Sequence, residues 1–236
     1  MKLTSLVIHT SVLSLIALAH IAAISAVEQT TFAGWGTVTD PDKDCQFSIQ
    51  GDKLGITVPA KNHNLHPARG LNAPRVLKKV TGDFSVQVKI TADFKPGTTS
   101  TARGQPFNGA GLLVWQSEES FLRVERNAFW SGDALVCFPP LIEYWSKGAY
   151  SGANDDPTDA AYFKGPSTWL KASRKGKHVT VSISHDGKEW SDVKTFPVDM
   201  TDDLFVGVAA VNSSDTPFTV HFEEFTLNGM AKPMKP

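Results

Sequence analysis

The sequence has little cysteine and no cysteine-rich cluster. Only Cys45 and Cys137 occur among its 236 residues, which excludes a disulfide-rich scaffold and a zinc site built on paired cysteines. In an exported protein the two are able to form one bridge, worth roughly 4–5 kcal/mol through the entropy of closing so long a loop. The alternative is two buried thiols, and the sequence leaves both open.

An excess of charge of one sign is also missing. The chain has 23 basic and 24 acidic residues, a formal net charge of −1, and its lysines and arginines are dispersed. Nucleic acids and anionic membranes require a concentrated basic face, so the charge distribution argues against both, and we expect no nucleic-acid partner. No phosphate loop, dinucleotide fingerprint or serine or cysteine nucleophile set occurs, and we expect no cofactor.

A calcium loop of the EF-hand type is incomplete. Asp40, Asp42 and Asp44 have the spacing of its first three ligands, but the sixth position is Cys45 and the twelfth is Gly51. An EF-hand requires glycine and a bidentate glutamate there. A looser site in this segment, or among the aspartates at 155, 156 and 159, stays open on residue type alone, and we expect no metal.

Long apolar runs are confined to the amino terminus. Lys2 precedes an apolar stretch over residues 3–23, and small residues follow up to Ala26. This pattern is typical of a secretory signal peptide over residues 1–26, with cleavage after Ala26 preferred to cleavage after Ser25. A membrane anchor is the alternative, although His9 and His20 interrupt the stretch. We therefore expect a periplasmic or extracellular protein.

Helical periodicity of ten residues or more is absent, and strand patterns dominate instead. Apolar and polar residues alternate over 84–90, 179–184 and 218–223, a period of two that predicts strands with one buried face. The phase slips after residue 223, which predicts a β-bulge at Glu223-Glu224. Further strands are predicted at 54–58, 110–116, 121–126, 141–145, 169–173, 190–196 and 204–211. Asp186-Gly187 is typical of a tight hairpin. Many short strands without alternating helices predict one all-β sandwich or barrel.

Several segments resemble a known family. They are Trp35-Gly36, Leu71–Arg75 before Gly82-Asp83-Phe84, Gly111–Trp115 leading into Phe121–Arg126, Ser184–Trp190, and the closing strand to Leu227. In this order they resemble DUF1349, a family related to concanavalin A-like lectins and glucanases. The resemblance covers residues 33–228 and leaves a short tail at 229–236. It implies a two-sheet antiparallel jelly-roll sandwich and a carbohydrate-related role, without a settled biochemical function.

The strand at Phe121–Arg126 carries the first candidate site. Leu122 and Val124 would face the core, which places Arg123 and Glu125 on the other face. A five-residue connection from the preceding strand adds Trp115 to that face, whereas a four-residue connection buries it in the core. An aromatic plane beside charged groups is suited to a sugar ring. The alternative is an Arg–Glu pair on an exposed strand face, with a core tryptophan.

A second candidate is the polar loop at 61–75. His63 and His66 are weak candidates for metal ligation because no carboxylate or cysteine lies nearby in sequence. Asn72 and Arg75 are able to bind hydroxyls or carboxylates of a ligand. The alternative is a structural loop whose Asn and Arg side chains satisfy backbone groups.

Glu143 supplies the third candidate, because with Glu125 it would form the carboxylate pair of a glycosidase. The Glu-x-Asp-x-x-Glu motif of the glucanases on this fold is absent, which argues against hydrolysis. The leading hypothesis is a non-catalytic carbohydrate-binding module with Trp115, Arg123, Glu125, Asn72, Arg75 and Glu143 as ligand-binding residues. The alternatives are a glycan-active hydrolase using Glu125 and Glu143, and a structural or protein-interaction module of the cell envelope.

Overall fold

The computed structural model describes residues 29–152 and 165–229. The predicted signal peptide, the aspartates at 155, 156 and 159, and nearly all of the tail lie outside the described residues. Within the described part, no helix is long and apolar enough to cross a membrane.

The described residues form fifteen β-strands. In chain order these are β1 (Thr31–Phe32), β2 (Gly36–Thr39), β3 (Gln46–Gln50), β4 (Lys53–Val58), β5 (Arg75–Thr81), β6 (Phe84–Ala92), β7 (Phe107–Ser117), β8 (Ser120–Ser131), β9 (Ala134–Ser146), β10 (Ala149–Gly152), β11 (Ser167–Lys175), β12 (His178–Ser184), β13 (Ser191–Pro197), β14 (Asp203–Asn212) and β15 (Phe218–Gly229).

The strands pair into two antiparallel sheets that pack face to face. One sheet has eight strands in the order β1-β2-β5-β14-β7-β8-β9-β10, and the other has seven in the order β13-β12-β11-β6-β15-β4-β3. The predicted all-β two-sheet antiparallel sandwich is confirmed. Strands that are neighbours in each sheet are often distant in sequence, so most of the fold rests on long-range pairing.

The main core lies between the two sheets. Val86, Val88 and Ile90 of β6 are fully buried, while the residues between them are partly exposed. This alternation confirms the predicted strand. The bulge at Glu223-Glu224 is also confirmed, because the pairing of β15 with β6 shifts between Glu223 and Thr226, and Glu224 has a φ of 52°.

The two cysteines are both free. Cys45 precedes β3 in the seven-stranded sheet, and Cys137 lies in β9 of the eight-stranded sheet. Each packs half-buried against the main core. Of the two alternatives left open by the sequence, the structure has the unbridged thiols.

The long connection between β4 and β5, residues 59–74, folds over the outer face of the eight-stranded sheet. We call it the covering loop. It encloses a second, smaller hydrophobic cluster that contains Leu65, Ala73, Leu77, Leu113, Phe121, Trp145, Ala209 and Val211. The eight-stranded sheet is therefore buried on both faces beneath this loop, and the space at the loop's edge becomes a cleft.

Polar contacts fix the covering loop in place. The fully buried His63 ring places Nε2 2.8 Å from Asp44 Oδ1, and its backbone N–H donates to the Asn212 carbonyl. Lys61 Nζ lies 2.6 Å from Asp44 Oδ2. Asn72 Nδ2 donates to Asp42 Oδ2 at 2.8 Å. The aspartates whose spacing matched a calcium loop thus bind protein groups in this structure.

Candidate functional site

The register of β7, β8 and β9 positions the candidate side chains. Trp115 pairs with Phe121 and Gly111 pairs with Glu125 across β7 and β8, while Arg123 pairs with Glu143 across β8 and β9. Directly paired residues share a face of the sheet. Five residues separate Trp115 from Phe121, so Trp115 lies on the same face as Arg123 and Glu125. This is the arrangement predicted for a five-residue connection.

Arg123 joins two carboxylates on this face. Its side chain is almost fully buried. Its Nε donates to Glu143 Oε2 at 2.9 Å, and its Nη2 forms an ion pair with the same oxygen at 2.8 Å. Its Nη1 lies 3.7 Å from Glu125 Oε1, an ion pair without a close hydrogen bond. The guanidinium therefore holds the Glu143 carboxylate firmly and Glu125 more loosely.

Glu125 lies beneath the surface with only 1% of its area exposed. Neither carboxylate oxygen has a hydrogen-bond partner among the described residues. Glycine in the neighbouring strand makes the room, since a Cβ at Gly109 would lie 2.5 Å from Glu125 Oε2. Burial raises the pKa of Glu125 to about 7, against the attraction of Arg123 and with a contribution from the charge of Glu143.

A cleft of about 370 Å³ opens above Arg123 and Glu143. The covering loop forms one wall, and the segment leading into β7 forms another. Gly104 also lines the cleft. The other lining residues are polar at Asn64, His66, Arg69, Gln105, Arg123, Asn127, Glu143 and Ser213, and apolar at Phe107, Phe129 and Leu141. A concave site with apolar walls and a few fixed polar groups is the usual form of a small-ligand site.

The six predicted binding residues do not all reach this cleft. Arg123 and Glu143 line it, and Glu125 lies below it. Trp115 stacks on Phe121 at 5.2 Å between ring centres and lies outside the lining. Arg75 places its guanidinium 4.6 Å over the Trp115 ring and donates to the carbonyls of Leu71 and Ala73.

Asn72 also has its polar atoms engaged within the protein. Its Oδ1 accepts the Asn64 backbone N–H at 3.0 Å, and its Nδ2 donates to Asp42 and to the Asn62 carbonyl. Asn72 and Arg75 therefore shape the covering loop, as in the structural alternative raised for them.

The two histidines of the loop have different surroundings. His66 lines the cleft, and burial lowers its pKa, so it is mainly neutral at pH 7. His63, Asp44 and Cys45 offer ligand atoms within 4.8 Å of one another. These residues do not fit a metal well: Lys61 and His63 already occupy both Asp44 oxygens, and burial raises the pKa of the Cys45 thiol. The group acts as the anchor of the covering loop.

Sequence reasoning missed much of the cleft. Asn127 continues the alternation of Arg123 and Glu125 along β8, so the strand pattern was a usable signal for it. Asn64 and Arg69 lie in the polar loop at 61–75, but nothing in their spacing distinguishes them from their neighbours. Phe107 and Phe129 carried no local signal, because they meet only through the pairing of β7 with β8.

The carboxyl-terminal part of the chain matches a known family. Residues 146–230 match the model of DUF1349, described as a protein of unknown function. The resemblance to DUF1349 is confirmed over these residues. The motifs upstream of residue 146 lie outside the match. A comparison with curated protein sequences found no match.

Solved structures share the fold at low sequence identity. A functionally unknown protein from Saccharomyces cerevisiae has a TM-score of 0.62 and 16% identity, over 84% of this chain and 98% of that chain. A GH43 protein from Bacillus licheniformis has a TM-score of 0.51 and 16% identity, over 82% of this chain and 39% of that chain. A xylan beta-1,4-xylosidase from Bacillus halodurans gives 0.52 and 14%, over 81% and 38%. These likenesses support the sandwich fold and leave function to the cleft.

Proposed function

We propose that this protein is exported and binds a carbohydrate, without catalysis, in the cleft above Arg123 and Glu143. The observation that carries the proposal is the composition of that cleft, which combines a charged floor with aromatic walls. The predicted signal peptide at 1–26 supports export to the periplasm or the extracellular space. The sandwich predicted at 33–228 is the binding unit in this proposal.

Sugars have apolar C–H faces and polar hydroxyls, and the cleft offers groups that suit both. Phe107 and Phe129 offer apolar surface to the C–H faces of a ring. Glu143 and Asn64 offer groups that exchange hydrogen bonds with hydroxyls. Because two N–H groups of Arg123 hold Glu143 Oε2, that carboxylate is oriented before a ligand arrives, which lowers the entropy cost of binding.

The position of Glu125 argues against the hydrolase alternative. Both oxygens of Glu125 are shielded beneath the cleft, where a glycosidic bond does not reach them. A glycosidase needs both carboxylates at the scissile bond. The cleft also argues against the alternative of a structural or protein-interaction module, because a flat face without a pocket is expected for such a module.

A glycan array probed with the protein lacking residues 1–26 tests the proposal. We expect Glu143→Gln to lower affinity about tenfold or more, the loss of roughly 1.5–3 kcal/mol expected for a hydrogen bond to a charged group. Glu119→Gln is the matched control, because Glu119 is exposed at the turn between β7 and β8. It should bind as the wild type does.

Three results would contradict the proposal. The first is a wild-type protein that binds no glycan, and the second is a Glu143→Gln variant that binds as tightly as wild type. The third is cleavage of a bound glycan by wild type but not by Glu125→Gln, which would establish the hydrolase instead.

A further inference from the structure

We infer that the carbohydrate is an oligosaccharide of at least two units, and that one of its rings stacks on Tyr150 beside the cleft. The inference rests on the proposed function and adds the class of ligand and a second subsite. It comes from the position of Tyr150, which the sequence did not single out.

A tight turn places Tyr150. Lys147 and Gly148 both have positive φ, 51° and 77°, and form a two-residue turn between β9 and β10. Such a turn fixes the register of its hairpin. Tyr150 consequently pairs with Trp145 and lies on the same face of the sheet. The turn is itself held, since Lys147 Nζ lies 2.7 Å from Asp199 Oδ2 and Gly148 N–H donates to the Glu119 carbonyl.

Trp145 connects Tyr150 to the cleft. The ring centre of Trp145 lies 5.0 Å from that of His66, which lines the cleft, and 5.4 Å from that of Tyr150. Both contacts are edge-to-face. Glu143, on the cleft floor, is the diagonal neighbour of Tyr150 across the two strands. Such neighbours lie about 7–8 Å apart, so one ligand of two adjoining sugar rings is able to reach both.

Tyr150 is one end of an aromatic row that crosses five strands at one level. The row is Phe205, Trp115, Phe121, Trp145 and Tyr150. Its centre is covered, and Phe121 has no exposed surface. Its two end rings are exposed, Phe205 by 45% and Tyr150 by 52%. Tyr150 adjoins the cleft through Trp145, whereas Phe205 lies at the other end of the row, four strands away from Tyr150.

This arrangement suits a sugar ring better than an isolated surface tyrosine does. A ring stacks on an aromatic plane through its C–H face. Because the Tyr150 ring packs edge-to-face against Trp145 beside it and the turn fixes its strand, little side-chain freedom remains to be lost on binding. A ligand of one unit would fill the cleft alone, while a longer one gains the second contact.

An array of matched mono-, di- and trisaccharides of glucose, xylose, mannose and galactose tests the inference. For the sugar that binds, we expect the disaccharide to bind about tenfold more tightly than the monosaccharide, equivalent to 1.4 kcal/mol. Tyr150→Ala should remove this gain and leave monosaccharide binding unchanged, whereas Tyr150→Phe should keep it. Phe205→Ala is the matched control, an exposed ring of the same row that should leave both affinities unchanged.

The outcomes separate this inference from the proposed function. Equal affinity for mono- and disaccharides, or a gain with length that persists in Tyr150→Ala, overturns the second subsite alone. If Glu143→Gln leaves binding unchanged, the site of the proposed function is overturned. A wild-type protein that binds none of these sugars and no glycan on the wider array overturns both.

Discussion

At the scale of single residues, Glu125 has the most unusual environment among the described residues. A carboxylate placed away from water and without hydrogen bonds is costly to ionise, and a single nearby guanidinium at 3.7 Å offsets only part of that cost. The pKa of about 7 expresses this balance. Glu125 therefore holds a proton in the folded protein over a pH range in which the unfolded chain has lost it.

This difference predicts that stability falls as the pH rises. The ordinary pKa of Glu125 is 4.5 and the folded value is about 7, so its contribution is complete below pH 4.5 and is lost as the pH passes through 7. Glu125→Gln cannot ionise. We expect the difference in free energy of unfolding between this variant and wild type to shift by roughly 2–4 kcal/mol in favour of the variant from pH 4.5 to pH 8. One pKa unit corresponds to about 1.4 kcal/mol. Urea unfolding at several pH values measures this difference.

Comparing the two proteins cancels the other titrating groups. Glu119→Gln, a change at the exposed turn between β7 and β8, should follow the wild-type curve. If the difference between wild type and Glu125→Gln stays constant from pH 4.5 to 8, Glu125 does not titrate as described.

At the scale of elements, strands with a clear local alternation of apolar and polar residues were predictable from the sequence, whereas strands without one were not. The strand at 84–90 was predicted because its alternation is local, and it appears as β6. Five strands were not predicted, namely β1, β2, β3, β5 and β10. In β5, Lys78 and Lys79 interrupt the apolar pattern, and β10 has only four residues. Gly187 has the predicted positive φ, yet the connection spans residues 185–190 instead of a tight turn.

The candidate site was predicted only where it follows a single strand or one short connection. Arg123 and Glu125 share a face because of the period of two in β8. Glu143 joins them through a register with β9 that no local pattern specifies. The position of the covering loop depends on contacts between residues far apart in sequence, such as Asn72 with Asp42, so its wall of the cleft was not predictable.

Asn72→Ala tests whether the covering loop depends on its internal hydrogen bonds. The change removes three hydrogen bonds and leaves the buried Asn64 N–H without an acceptor. At about 1 kcal/mol per bond, we expect a loss on the order of 2–4 kcal/mol in the free energy of unfolding. Carbohydrate binding should weaken as well, because the loop carries Asn64, His66 and Arg69.

The matched control for this change is Asn228→Ala, an exposed asparagine in β15 of the other sheet. It should alter neither stability nor binding by a measurable amount. An Asn72→Ala variant as stable as Asn228→Ala would show that the apolar contacts of Leu65 and Ala73 are sufficient to hold the loop.

At the scale of the whole molecule, the sandwich keeps its two cysteines apart. Between the sheets, β14 packs near β4 while β8 packs near β11. The edge strand β3, which follows Cys45, therefore lies on the opposite side of the sandwich from β9, which carries Cys137. A disulfide requires Cα atoms within about 7 Å, so a bridge would require the sandwich to open.

We therefore expect the folded protein to contain two free thiols and to owe its stability to its two hydrophobic clusters. Unfolding in the presence of a thiol reagent, without reductant, should label both cysteines. A Cys45→Ser/Cys137→Ser variant has no thiol and gives the background labelling. Reductant should leave Tm unchanged, whereas reducing a bridge worth roughly 4 kcal/mol would lower Tm by roughly 10 °C in a domain of this size. Such a fall, together with fewer than two labelled thiols, would show that the strands β3 and β9 approach each other in a way that the sheet order does not allow.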